Sequence, residues 1–87
     1  MKREYQIKFT NVAIKQLEEL PELIASKVSI ALIRITQDPY KYGKKLQDKK
    51  IDSYTYRVWP YRIIYEIRNE QVLIVVLKIA HRKDVYR

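Results

Sequence analysis

The sequence predicts an α+β fold of order βααβββ: an N-terminal strand, a helical hairpin, and a small antiparallel sheet on which the hairpin packs. Three observations carry this. SYTYRVW (53–59), YRIIYEI (61–67) and VLIVVLKIA (72–80) are rich in β-branched and aromatic residues and are joined by links too short for crossovers. Residues 11–37 place apolar side chains at helical spacing, broken once at Leu20-Pro21. EYQIKF (4–9) alternates as a strand does.

Each element follows from local chemistry. Thr10 or Asn11 can cap a helix running to about Leu20, with Ala13, Leu17 and Leu20 on one face. Pro21 suits the first turn of a second helix, because its fixed φ is already helical and its missing N–H is not needed there. Ile24, Val28, Ala31, Leu32 and Ile35 form the apolar stripe of that helix, and Asp38-Pro39 ends it. PYKYGKKLQDKK (39–50) reads as a basic loop holding the only glycine, Gly43. The 87 residues show no repeat, linker or low-complexity tract, so one domain over 1–87 is expected.

Composition narrows the function classes. With 47% hydrophobic and 32% charged residues the chain is globular. No apolar run approaches the roughly 20 residues of a membrane helix, and MKREYQIKF has charges where a signal peptide is apolar. A cytoplasmic protein without membrane association is expected. Zero cysteines remove disulfides, thiol catalysis and Cys-based metal sites, and the single histidine, His81, removes multi-histidine metal sites. Neither a cofactor nor a metal is expected. The net charge of +8 favours a polyanion: nucleic acid first, an acidic protein segment second.

Strand register sharpens the first of these. If Val58 faces Tyr61 across a two-residue turn, then Tyr56 faces Ile63 and Tyr54 faces Tyr65. That puts an aromatic and aliphatic set on one face, toward the helices. The same register sets Arg57 directly across from Arg62 on the other face, with Thr55 opposite Ile64. Like charges placed opposite each other cost about a few tenths of a kcal/mol, and packing gives no reason for them. A bound phosphate does, since two guanidiniums offer fork-shaped donors to one anion. With Asn69-Glu70 as the next turn, Leu77 is expected opposite Arg62. Leu73, Val75, Leu77 and Ile79 would then floor the arginine face while Val72, Ile74 and Val76 enter the core. The segment HRKDVY (81–86) would leave that strand beside the arginine pair. Lys44, Lys45, Lys49 and Lys50 of the basic loop can add phosphate affinity.

YTYRVWPYRIIYEI, followed by a strand and HRKDVY, together with the LP break and DPYKYGKKL, resembles the RelE/ParE superfamily of toxins from toxin–antitoxin pairs. The resemblance spans essentially the whole chain, and HRKDVY is similar to the RelE branch. It implies a RelE-like microbial RNase-type fold and a ribosome-dependent mRNA endonuclease acting in the A site. Its implied partners are an acidic antitoxin, the ribosome and mRNA, with operator DNA reached only through the antitoxin complex. It implies Arg57, Arg62, Arg82 and Tyr86 as the catalytic set, with His81 and Lys83 as auxiliary candidates. Thr55 departs from the pattern, standing where many members carry lysine or arginine. The alternatives are a ParE-like gyrase poison, or a weakened toxin that acts mainly as an antitoxin-binding subunit.

The implied reaction is attack by a ribose 2′-hydroxyl on its own phosphate, leaving a 2′,3′-cyclic phosphate and a 5′-hydroxyl. Two arginines supply charge stabilisation. Tyrosine near pKa ~10 and arginine above ~12 are poor neutral-pH proton carriers, so the residue types leave the base and acid open. Neighbouring guanidiniums would favour a Tyr86 phenolate, and Tyr86 could otherwise stack on a base.

Overall fold

The computed structural model describes residues 4–46 and 53–85. Its strands are β1 (Gln6–Phe9), β2 (Lys44–Lys45), β3 (Ser53–Val58), β4 (Tyr61–Arg68) and β5 (Leu73–His81). Its helices are α1 (Asn11–Glu18), α2 (Glu22–Gln37), and the single turns α3 (Pro39–Tyr42) and α4 (Arg82–Val85). The sheet order is β1-β5-β4-β3-β2. β1 lies parallel to β5, while the β5–β4, β4–β3 and β3–β2 pairs are antiparallel. The expected α+β fold is therefore observed, with the helical hairpin on one face of the sheet. A one-turn helix and a two-residue strand occupy part of the stretch expected to be loop.

The apolar stripe of α2 is buried through Val28, Ala31 and Ile35, with Ile24 and Leu32 packed at its margin. Ala13 of α1 is fully enclosed, and Leu17 and Leu20 pack against the same core. The sheet contributes Tyr54, Val58, Ile63, Tyr65, Ile67, Ile74, Val76 and Ile79. Tyr65 is wholly buried and spends its hydroxyl on Pro39, donating to that carbonyl at 2.7 Å. Burial, and then the neighbouring Tyr54, push the Tyr65 hydroxyl well above the ordinary tyrosine pKa. No helix among the described residues is long and apolar enough to cross a membrane.

The β3–β4 register is the expected one, with Val58 opposite Tyr61, Tyr56 opposite Ile63, Tyr54 opposite Tyr65 and Arg57 opposite Arg62. The β4–β5 register is not: Ala80, rather than Leu77, faces Arg62. Two features shift it. The connection is a 3-10 turn over Asn69–Gln71 that ends on Val72 with φ 50°, so Val72 turns the chain instead of entering the core. A bulge then falls where Tyr65 pairs with Val76 but Ile64 pairs with Lys78, leaving Leu77 as the extra residue.

The bulge is held from outside the strand. Thr10 Oγ1 donates to the Leu77 carbonyl at 2.6 Å, and Gln16 Oε1 accepts from the Ile79 N–H at 2.6 Å. Thr10 also caps α1, accepting from the Ala13 N–H at 3.1 Å. Where β1 ends, α1 thus takes over the hydrogen bonds of the β5 edge. One extra residue inverts the alternation beyond it. Ile79, expected on the arginine face, is instead in the core opposite Ile63, and Lys78 and Ala80 turn to the arginine face.

Candidate functional site

The face of the sheet opposite the helices carries a row of cations. Arg57 and Arg62 are paired across β3 and β4, and Ala80 flanks Arg62 on β5. Lys44 is paired with Thr55 on the other side. Lys41, Tyr42, Gly43, Lys44, Thr55, Arg57 and Arg62 line a cleft of about 350 Å³. Among these lining residues there is no carboxylate. Glu66, two positions from Ile64 on β4, is held by Arg68 at 2.8 Å.

The cleft wall is built by local structure. Asp38 caps α3, its Oδ1 accepting from the Lys41 N–H at 3.2 Å. The turn brings the 41–44 segment against the sheet, where Gly43 meets Tyr65. A Cβ added to Gly43 would lie 1.7 Å from the Tyr65 hydroxyl. Close approach, not unusual dihedrals, is why glycine stands here, since its φ of −97° and ψ of 155° are ordinary extended values.

The other site candidates separate. Lys45 is opposite Tyr54 and does not line the cleft. His81 is opposite Tyr61, in the alternation of Ile63 and Ile79, which places it on the helix side of the sheet. Its ring stands edge-on to Tyr61 at 5.1 Å, and its Nδ1 accepts from the Lys83 N–H at 3.2 Å. His81 thus braces the start of α4. Lys83 is exposed on that turn. The Arg82 N–H donates to the Pro60 carbonyl at 2.8 Å, fixing α4 against the β3–β4 turn, and its guanidinium lies 5.0 Å from the centre of the Trp59 ring. Lys49, Lys50 and Tyr86 lie outside the described residues.

Sequence reasoning passed over Lys41 as an individual site residue, and Lys8 and Lys78 on the same sheet face. The pairing of Lys8 with Val75 and of Lys78 with Ile64 places them there. The spacing DPYKYG, a capped turn ending at glycine, was the available signal for Lys41. Lys78 was illegible without the bulge.

Thr55 is 8% exposed, and its hydroxyl finds no hydrogen-bond partner among the described residues. A buried, unpaired hydroxyl costs roughly 1–3 kcal/mol. Thr55→Val keeps the shape and removes that cost. It is expected to raise the urea midpoint by the equivalent of about 1 kcal/mol, and a loss of stability would reveal a partner for the hydroxyl.

Fold and cleft together define a small α+β protein with a cation-lined cleft on the sheet face opposite α1 and α2. Comparison with known proteins supplies the family. Residues 7–86 match the model of the ParE toxin of type II toxin–antitoxin systems, and the chain belongs to that family of the RelE/ParE superfamily. It is 32% identical over 84 residues to the toxin RelG of Mycobacterium tuberculosis, covering 95% of this chain and 97% of that protein. Among solved structures it is similar to the RelBE2 toxin–antitoxin complex of M. tuberculosis, with TM-score 0.80 and 30% identity over 91% of this chain and 99% of that one. The isolated Escherichia coli RelE toxin superposes with TM-score 0.80 at 23% identity, covering 94% of this chain and 90% of that one, which speaks to the fold.

Proposed function

We propose that this toxin is a ribosome-dependent mRNA endonuclease, cleaving in the A site and thereby stopping translation. The observation that carries the reading is Arg57 set directly across from Arg62 in a cleft whose other charged lining residues, Lys41 and Lys44, are also cations. Such an arrangement offers fork-shaped donors to a phosphoryl group whose charge grows in the transition state.

The 2′-oxygen attacks the adjacent phosphorus, the bond to the 5′-oxygen breaks, and the proton lost by the 2′-hydroxyl is balanced by one gained by the 5′-oxygen. Arg57 and Arg62 hold the non-bridging oxygens. Arg82, on α4 and stacked on Trp59, adds positive charge, and Tyr86 joins the set as the family pattern assigns it. With His81 turned to the helix side, the chain is poor in groups that move protons at neutral pH. Slow cleavage of free RNA and reliance on the ribosome to align the 2′-oxygen follow.

The partner that holds the toxin inactive is an acidic antitoxin segment, matched to the +8 charge. Structural neighbours solved as toxin–antitoxin complexes support this. Operator DNA is reached only through that complex.

The test is brief induction in a host lacking the antitoxin, followed by mapping of mRNA 5′ ends. Cuts confined to translated regions, with 5′-hydroxyl ends, are expected within minutes. Growth arrest with intact mRNA would sink the reading. One observation favours a second reading: the matching family model is that of the ParE toxins. A gyrase poison would give DNA breaks and SOS induction instead, with no dependence on translation.

A further inference from the structure

Trp59 is the only tryptophan in the chain, and 60% of its surface is exposed. Leaving so large an aromatic in water forgoes burial energy that a turn residue could have gained against the core. The Arg82 guanidinium stacks on the ring at 5.0 Å. Trp59 also lines a groove of about 440 Å³ along the β3 edge and α2, with Lys27, Ile30, Arg34, Arg57 and Val58. Among the described residues, β2 pairs with Tyr54 and Thr55 and leaves the edge beyond them unpaired. Also among the described residues, the lining contains three cations and no carboxylate. Arg57 lines both this groove and the phosphate cleft, so the two adjoin at that side chain.

We propose that Trp59 is a stacking platform for the nucleobase next to the scissile phosphate. The flanking nucleotide runs from Arg57 along the groove, where Lys27 and Arg34 receive its phosphate. The inference rests on the RNA reading given above and adds to it a base-binding residue outside the catalytic set. An aromatic ring beside cations that track a backbone is how single strands are held without strict sequence readout, because every base presents a π-face. An acidic peptide would also match the cations. The shared Arg57, which also belongs to the phosphate cleft, favours the nucleotide.

The sole indole makes the proposal directly measurable. A 2′-O-methyl RNA tetranucleotide, which lacks the attacking hydroxyl, is titrated against the purified toxin alongside an abasic oligomer of identical charge. The tetranucleotide is expected to quench Trp59 fluorescence and to bind roughly 5- to 150-fold more tightly than the abasic oligomer, the range that stacking one base supplies. For the variants, anisotropy of labelled oligomers replaces the indole signal. Trp59→Ala should abolish the preference for bases while keeping affinity for the abasic oligomer, and Trp59→Phe should retain most of the preference. Equal binding of both oligomers, or an undiminished preference in Trp59→Ala, overturns the platform. So does quenching by an acidic amphipathic peptide when RNA is silent, which would make the groove a protein-docking surface. Ribosomal cleavage without base preference defeats the platform and leaves the nuclease reading standing; base preference without cleavage does the reverse.

Discussion

Arg62→Ala is expected to slow ribosomal mRNA cleavage by roughly 10²–10³-fold, the usual effect of removing one preorganised donor to a developing oxyanion. The same substitution is expected to change stability by no more than about 0.5 kcal/mol, the usual range at a position outside the core. A large loss of activity at nearly unchanged stability distinguishes a site from a scaffold. A solubilising arginine would leave both quantities unchanged, and a structural one would lower both together. Reconstituted translation with primer-extension readout gives the first quantity, and urea unfolding of the purified toxin gives the second. Arg62→Lys keeps the charge but loses the fork, so an intermediate rate is expected if bidentate contact matters. Cleavage at the parent rate in Arg62→Ala would remove the arginine pair from the mechanism.

The arginine pair was legible in the sequence because a hairpin leaves few choices. Tyr54, Tyr56 and Val58 had to share a face with Tyr61, Ile63 and Tyr65, and one pairing across a two-residue turn achieves it. Arg57 and Arg62 were then opposite each other by exclusion. The next strand pair was not legible, since VLIVVLKIA is apolar on both faces and offers no alternation to fix register. Its bulge depends on Thr10 and Gln16, more than 60 residues away in sequence. Pattern reading has no access to such a contact. Hence Ala80 and Lys78, rather than Leu77, border the arginines, and His81 falls on the helix side. The cleft wall was hidden for a different reason: α3 and β2 are too short to show a period, and only the Asp38 cap and Gly43 marked them. Trp59 was read as part of a turn, because sequence gives no measure of how exposed a turn aromatic will be.

Gly43→Ala is expected to be strongly destabilising, although it adds a single methyl. The added Cβ would sit 1.7 Å from the Tyr65 hydroxyl oxygen and 2.7 Å from its ring carbon Cζ, with the Pro39 carbonyl oxygen at 3.1 Å. Tyr65 cannot swing away: it is fully buried, stacked on Tyr54 at 5.9 Å and tied to Pro39. The 41–45 segment has to lift instead. Lifting strains or breaks the Tyr65–Pro39 hydrogen bond and withdraws Lys41 and Lys44 from the cleft beside Arg57 and Arg62. Overpacking of this kind costs about 1–3 kcal/mol, and an unmade buried hydrogen bond a similar amount, so a loss of roughly 2–4 kcal/mol is expected in urea unfolding. Tyr65→Phe supplies the control. Alone it should cost about 1 kcal/mol, because the Pro39 carbonyl loses its donor. Combined with Gly43→Ala it should cost less than the sum of the two, since the atom nearest the new methyl is gone while the ring carbon remains. Strict additivity would show that the methyl is accommodated elsewhere. Because lifting the segment dilutes the cationic wall, cleavage should fall in Gly43→Ala even under conditions where the protein is fully folded, and should recover partly in the double variant. A rate that followed only the folded fraction would place Lys41 and Lys44 outside the phosphate site and leave Arg57 and Arg62 to bind it alone.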